Sequence, residues 1–571
     1  MRTHGGGSPK QDRLRTGIAG AKKNPNLGRM PRLSAFTHFL KAPGAGEAAC
    51  LCHVGGAAPT QPDLEQLQPL MRRLATRMTT ESIVSDPAKG RDNPNIPSGY
   101  TYFLQFVAHD LVATSVPLWA TQASTTGVRN VRAARLQLES LYGGGPNVNP
   151  APFAPDDALD TSRTKFRLGQ IQAAAAAVCP YRDVARVTVT GTDGIERAGL
   201  TEPLLGDTRN DDNPILAQMT VLFQKLHNEI VDLIKAGGAL PAMEPLEAAE
   251  QRFAGTRAAV TLIYRAIIRT DLLPKILLQQ VRGQYGVARP EFLMDAAFRD
   301  DPFAALPLEF SFGAMRFGHA MVRDTYQVND STSFRLHDVL NETSSRSPGS
   351  MPLSADWIVQ WSHFFELVGG VQPNLSQRIC PTLSPGLMNR GFFGAIDGSD
   401  WFGLGYRDLM SAAYAGMWSV GPLVQAINDA NPARLAGSKL LRNGNWKTKL
   451  EAWLVRDADA SGLTSADIET LVADPPLPFF ILFEAEAETG GTTLGTLGSV
   501  IVADIFYALL AQHPGRAMLQ GTLADRLKQV STAMYGVDVL SGPLGNLDTM
   551  PKLITYLAPA FGGAGAAPKF I

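Results

Sequence analysis

Between Pro214 and Ala236 the chain places Ile215, Met219, Leu222, Phe223, Leu226, Ile230, Leu233 and Ile234 on one stripe at 3.6-residue spacing. A helix this apolar must be covered by other elements, so it belongs inside a sizeable core. Its ends are marked: Pro214 suits the first helical position after Asn213, and Gly237-Gly238 supplies a stop. Helical spacing also predicts helices over 99–113, 255–281, 308–322, 355–368, 406–427 and 496–512. Strand-like alternation is sparse, and no internal repeat suggests a solenoid. The expected fold is mostly α: a single large helical domain with long loops, such as 143–160 and 381–400, and little β.

The boundaries follow composition. Residues 1–60 are basic, rich in Gly and Pro and weakly periodic, which reads as a flexible arm with one ordered patch near Leu33 to Leu40. The domain should then span 61–560, with a flexible tail over 561–571. The 571 residues balance 52 Lys and Arg against 53 Asp and Glu, a net charge of -1 that gives nucleic acid or an anionic membrane no electrostatic handle. No stretch is apolar for long enough to span a bilayer, and no apolar region follows the basic N-terminus as a Sec signal requires. The expectation is a cytoplasmic protein, or one exported by a route that reads no such signal. Cys50, Cys52, Cys179 and Cys380 are too scattered for a disulfide framework; Cys50, Cys52 and His53 form half of a metal site without its second half and read as a loop with free thiols.

Two of the histidines stand in unusual settings. His109, in QFVAHDL, shares a helix face with Gln105 four residues earlier, among Phe103, Phe106, Val107 and Leu111. Such an imidazole must find a specific partner or face a cavity; a satisfied core histidine is the blander alternative. His319, in MRFGHAM, follows Arg316 by three residues, with Gly318 leaving room beside the backbone. A neutral imidazole can ligate haem iron, and an arginine one turn away can pair with a propionate.

The order QFVAHD, GDTRNDDN, LFQKLHNEIVDLI, EFSFGAMRFGHAMVRDTYQVN, LGYRDLMSAAYAG and LGTLGSVIVADIFYALL resembles the animal-type haem peroxidases of the peroxidase-cyclooxygenase superfamily, particularly their bacterial members, from about residue 75 to 515. The resemblance implies a haem b cofactor with His319 as axial iron ligand, His109 as distal acid-base residue, Gln105 as its hydrogen-bonding neighbour and Arg209 as distal arginine. It implies hydrogen peroxide as oxidant, a ferryl haem, and a small organic or halide electron donor. It places Asp408 where the family has an asparagine beside the proximal histidine; a carboxylate there would make the imidazole more anionic.

Other departures follow from the same resemblance. One ester carboxylate of the mammalian enzymes falls at Ala108, so only the link through Asp212 remains open, and Asn213 replaces the methionine of a sulfonium link. Both argue against chloride as main substrate. Asp110 takes the place of a calcium ligand, but Gln137 and Glu139 leave the companion loop short of carboxylates. Ser411 replaces a second propionate arginine, leaving Arg316, and His227 reads as structural. Two alternatives are a fatty-acid dioxygenase of the same superfamily, disfavoured because its radical tyrosine would fall at Arg316, and a helical binding protein that retains the fold without catalysis.

Overall fold

The computed structural model describes residues 34–40, 61–79, 91–115, 129–155, 162–172, 182–238, 245–287, 290–294, 305–388, 403–511 and 521–562. The longer helices are α1 (Gln61–Arg77), α2 (Gly99–Leu111), α3 (Pro214–Ala236), α4 (Pro245–Ile267), α5 (Gly403–Ala415), α6 (Leu477–Thr489), α7 (Thr496–Ala511) and α8 (Met550–Gly562). Among the described residues, the strands form only two-stranded ribbons, the longest pairing β1 (Arg186–Thr190) with β2 (Glu196–Pro203) in antiparallel register. The mostly α class expected from periodicity is the class observed.

Helix α3 lies at the centre. Asn213 caps it, its side chain accepting from the Leu216 amide at 2.8 Å, and Pro214 occupies the first turn. Gly238 ends the segment with φ +58°, a conformation that favours glycine. Phe223 of α3 stacks on Phe106 and Phe103 of α2 at 5.0 and 6.2 Å, and Tyr264 of α4 meets all three rings edge-on. Burying each such ring stabilises the fold by about 1.5–3 kcal/mol. One continuous cluster of buried side chains runs from Phe39 to Ala558.

Several helices depart from their predicted extents. The 406–427 prediction divides into α5 and a second helix, Val420–Ala430, at Gly416 with φ +59°. The 255–281 prediction begins earlier, at Pro245, and passes through a π turn at Ile268–Leu272 before ending. The 355–368 helix is absent: only isolated 3-10 turns stand at Ala355–Trp357 and Trp361–His363. Tertiary hydrogen bonds claim its backbone instead. Gln218 of α3 donates to the Trp357 carbonyl at 2.7 Å and accepts from the Val359 amide at 2.8 Å, while the Gln360 amide donates to Val328. The apolar spacing there serves a buried irregular segment in which Trp357, Trp361, Phe364 and Phe365 enter the core.

The predicted 308–322 helix is present in altered form, as a π turn at Glu309–Gly313 followed by 3-10 turns over Ala314–Met321. Glu309 anchors its start from full burial. Its carboxylate accepts from the Phe39 amide at 2.7 Å and the Trp418 amide at 3.1 Å and meets His38 Nδ1 at 2.9 Å. The 34–40 segment is thereby docked on the core, with Thr37 bridged to Pro307. The predicted 561–571 tail begins inside α8, which runs to Gly562, while its residues 563–571 and most of the predicted N-terminal arm lie outside the described residues, as do Cys50, Cys52, His53 and Cys179.

Candidate active site

Helix α2 and the irregular 309–321 segment run antiparallel. The Thr101 hydroxyl donates to the Met321 carbonyl at 3.4 Å, and a Cβ on Gly318 would lie 3.1 Å from Leu104 Cδ2. The space that Gly318 was expected to leave for a bulky group therefore faces α2, and its smallness allows the two segments to pack closely. His109 and Gln105 project from α2 and His319 and Arg316 from its partner segment.

His109 is 8 % exposed, and its Nδ1 lies 2.9 Å from Asn210 Oδ1. Since the amide oxygen accepts, Nδ1 carries the hydrogen, and in the neutral ring Nε2 is then the nitrogen with the lone pair. Asn210, which the sequence reading did not single out, thus fixes the tautomer. Gln105 Oε1 accepts from Asn213 Nδ2 at 3.3 Å, so the residue that caps α3 also holds the glutamine.

Asn210 belongs to a 3-10 turn, Thr208–Asp211, that is held from several sides. Arg186, itself buried, donates from Nε and Nη2 to Asp183 and from Nη1 and Nη2 to Asp211, at 2.7–2.9 Å. Asp207 caps the turn through the Arg209 amide at 3.0 Å and pairs with Arg132 and Arg209. Although burial opposes ionisation, the charges of Arg209 and Arg132 hold the Asp207 carboxyl well below the usual carboxylate range. The Arg209 guanidinium also donates to the carbonyls of Val112 at 2.9 Å and His109 at 3.0 Å, at the C-terminal end of α2. Arg209 accordingly positions the helix end that carries His109; most of its donors are committed to Asp207 and these two carbonyls.

On the other side, His319 Nδ1 lies 2.6 Å from Asp408 Oδ2 of α5, and Arg316 Nη1 lies 3.8 Å from Asp408 Oδ1. Three residues per 3-10 turn put Arg316 and His319 on the same face, which lets both converge on one carboxylate. The His319 side chain remains 29 % exposed, and Nδ1 is the nitrogen engaged, leaving Nε2 for a ligand.

Asp212 follows the Thr208–Asp211 turn. Its main-chain carbonyl accepts from Arg346 Nη1 at 3.4 Å, and its carboxylate lies in the fields of both Arg209 and Arg346. The carboxyl of Asp110 is buried and raised to about 6 by desolvation first and by Glu139 second. Leu138 and Ser140 amides donate to it at 3.0 and 3.4 Å, Tyr264 Oη at 3.3 Å, and Glu139 accepts from the Ala133 amide at 3.0 Å. The loop expected to hold calcium is thus tied to Asp110 by protein donors. No group of three or more metal-ligating side chains occurs among the described residues.

A family model for animal haem peroxidases matches residues 161–392. That match is a similarity to the family over those residues alone. The matched stretch includes Arg209, Asp212, Arg316 and His319, while His109 and Asp408 lie outside it. No curated protein sequence matches. Several solved structures share its fold. Peroxidase A from Dictyostelium discoideum is 14 % identical with a TM-score of 0.50, covering 92 % of this chain and 98 % of that one. The fatty acid alpha-dioxygenase of Arabidopsis thaliana is 12 % identical with a TM-score of 0.56, covering 95 % and 82 %; that of Oryza sativa is 12 % identical with a TM-score of 0.54, covering 92 % and 82 %.

The residues present fit a haem. His319 offers Nε2 while its other nitrogen is held, and Arg316 Nε and Asn210 Nδ2 are buried without a hydrogen-bond partner in the protein, one donor beside each histidine. His227 is placed differently: fully buried, it meets Tyr142 Oη at 3.0 Å and the Thr164 carbonyl at 2.7 Å, and burial lowers its pKa to about 4. It is a neutral joint between α3 and the loops beside it. No helix among the described residues is long and apolar enough to cross a membrane.

Proposed function

We propose that this chain is a haem peroxidase in which His319 ligates the iron and His109 moves the proton of the peroxide. The observation that carries the reading is the contrast between the two imidazoles: each has Nδ1 held by a buried acceptor, a neutral amide at His109 and a carboxylate at His319. When bound, haem supplies the redox-active iron at which a peroxide is reduced and small donors are oxidised. Asn210 keeps the lone pair of His109 Nε2 available, so the ring can take a proton from the incoming peroxide and return it to the departing oxygen. Asp408 accepts the His319 Nδ1 hydrogen, orients the ring and increases its electron donation. Arg209 and Gln105 act here as positioning residues, and Arg316 offers its guanidinium to a propionate. Asp212 remains the one carboxylate available for an ester link.

The fold is shared with fatty acid alpha-dioxygenases, and the reading separates from theirs at Arg316. The position from which the superfamily's dioxygenases draw a radical holds a guanidinium that cannot form one. The test is an absorption spectrum of the full chain reconstituted with haemin, before and after hydrogen peroxide. A Soret band that shifts with peroxide, fails to shift in His109→Ala and is weakened or lost in His319→Ala supports the proposal. Rapid oxygen uptake on adding a fatty acid, without peroxide turnover, would sink it in favour of the dioxygenase.

A further inference from the structure

The segment that carries His319 and the stretch formed by α5 and the turn after it run antiparallel, and they are tied at two places. One tie is the contact of His319 Nδ1 with Asp408 Oδ2 at 2.6 Å. In the other, the Trp418 amide donates to Glu309 Oε1 at 3.1 Å. Glu309 stands ten residues before His319 and Trp418 ten after Asp408, so the two ties close opposite ends of one pairing. Between them the segments lie close: a Cβ on Gly313 would be 3.5 Å from Met417 Sδ, and Arg316 Nη1 is 3.8 Å from Asp408.

The second tie is completed from a third part of the chain. Glu309 is fully buried; the Phe39 amide donates to its Oε2 at 2.7 Å and His38 Nδ1 to its Oε1 at 2.9 Å. A carboxylate out of water is stable only with its oxygens satisfied, and the 34–40 strap supplies two of these three donors. Thr37 fixes the strap on either side of Pro307, its amide donating to the Leu306 carbonyl at 3.0 Å and its carbonyl accepting from the Leu308 amide at 2.8 Å. Phe36 meets Phe312 edge-on at 5.1 Å, and the Arg316 guanidinium lies 5.5 Å from the same ring.

We infer that Glu309 is a positioning residue for the His319–Asp408 pair, and that the 34–40 strap, remote from both in sequence, is part of what holds the pair together. The inference rests on the haem-site reading and adds to it what fixes the proximal geometry. Two segments tied at one point can pivot about it, and a second tie removes that freedom. The His319–Asp408 hydrogen bond depends on it, because such a bond weakens steeply with length and angle. In Glu309→Gln the size is kept, but the amide nitrogen turns a donor towards the Trp418 amide or towards the strap.

The test is a double-mutant cycle read on the Fe(III)/Fe(II) midpoint potential of the full chain reconstituted with haemin, with a thermal melt of every variant. Glu309→Gln should raise the potential in the direction of Asp408→Asn and by less, and should add nothing to it in the Asp408→Asn background. His38→Leu should give a smaller shift of the same sign, and His38→Asn, whose amide can donate from the place of Nδ1, should restore the parent value. If Glu309→Gln does not fold, the two His38 variants carry the test. A potential unmoved in the folded variants, or a Glu309→Gln shift that persists in full beside Asp408→Asn, overturns the inference. A haemin spectrum indifferent to His319→Ala would instead fault the iron-ligand reading. The pair is then followed without haem, through the His319 Nδ1 proton resonance of the nitrogen-labelled chain. That resonance should move upfield in Glu309→Gln and His38→Leu, and one that stays in place in both overturns the positioning role.

Discussion

At the scale of single residues, the site is governed by what each imidazole's second nitrogen touches. Replacing Asp408 by Asn exchanges a carboxylate acceptor 2.6 Å from His319 Nδ1 for an amide of the same size. The expected outcome is a higher Fe(III)/Fe(II) midpoint potential and a lower iron–histidine stretching frequency in the reconstituted protein, with haem still bound. An unchanged potential would show that Asp408 is only a spacer. His227 gives a separate prediction about stability. Burial lowers its folded pKa to about 4, below the ordinary imidazole value of 6.5, so the folded chain binds fewer protons than the unfolded one between those values. Its contribution is therefore complete above about pH 6.5 and lost as the pH falls towards 4. Wild type should lose stability over that window relative to His227→Gln, and denaturant midpoints that fall in parallel would refute the assignment. Asp110 works in the opposite sense: with its carboxyl raised to about 6, its contribution is present at low pH and declines as the pH rises through 6.

At the scale of elements, the Thr208–Asp211 turn is the part most dependent on a single side chain. Arg186 holds it through Asp211 while also binding Asp183, all within the protein interior. Arg186→Met leaves two buried carboxylates facing one another, and the expected cost is about 3 kcal/mol or more in chemical unfolding. The variant should also react more slowly with peroxide, because Asn210 loses its support, while the haemin spectrum set by His319 is kept. The helices of the core were legible because their burial writes a 3.6-residue period into local sequence, and α3 was recovered from Pro214 to Ala236. The 355–368 segment misled because its apolar period reflects burial alone; Gln218 and Val328 had already claimed the backbone groups that a helix would use. His109 with Gln105, and His319 with Arg316, could be read as pairs because each lies within one helical turn. Asn210 left no such mark, since its partner His109 stands 101 residues away and periodicity carries no information across that distance. Asp408 was reached only through the family resemblance, for the same reason.

At the scale of the whole molecule, the loop beside α2 closes on Asp110 through Leu138, Ser140 and Tyr264. Chelation by EDTA should therefore leave the thermal midpoint within about 1 °C, since no ligand linkage is removed; a large drop would show that a cation shares this loop. The two halves of the site are also joined by contacts of long sequence separation, 101 residues from His109 to Asn210 and 89 from His319 to Asp408. Closing such loops costs entropy that local helices do not pay, so these contacts should be made late, after α2, α3 and α4 have packed. A nascent chain can then bury most of its aromatic core while His319 still lacks its carboxylate. The order of events during synthesis then acts as a timer: the proposed iron-binding face gains its carboxylate only once α5 has left the ribosome, after the Thr208–Asp211 turn has been made.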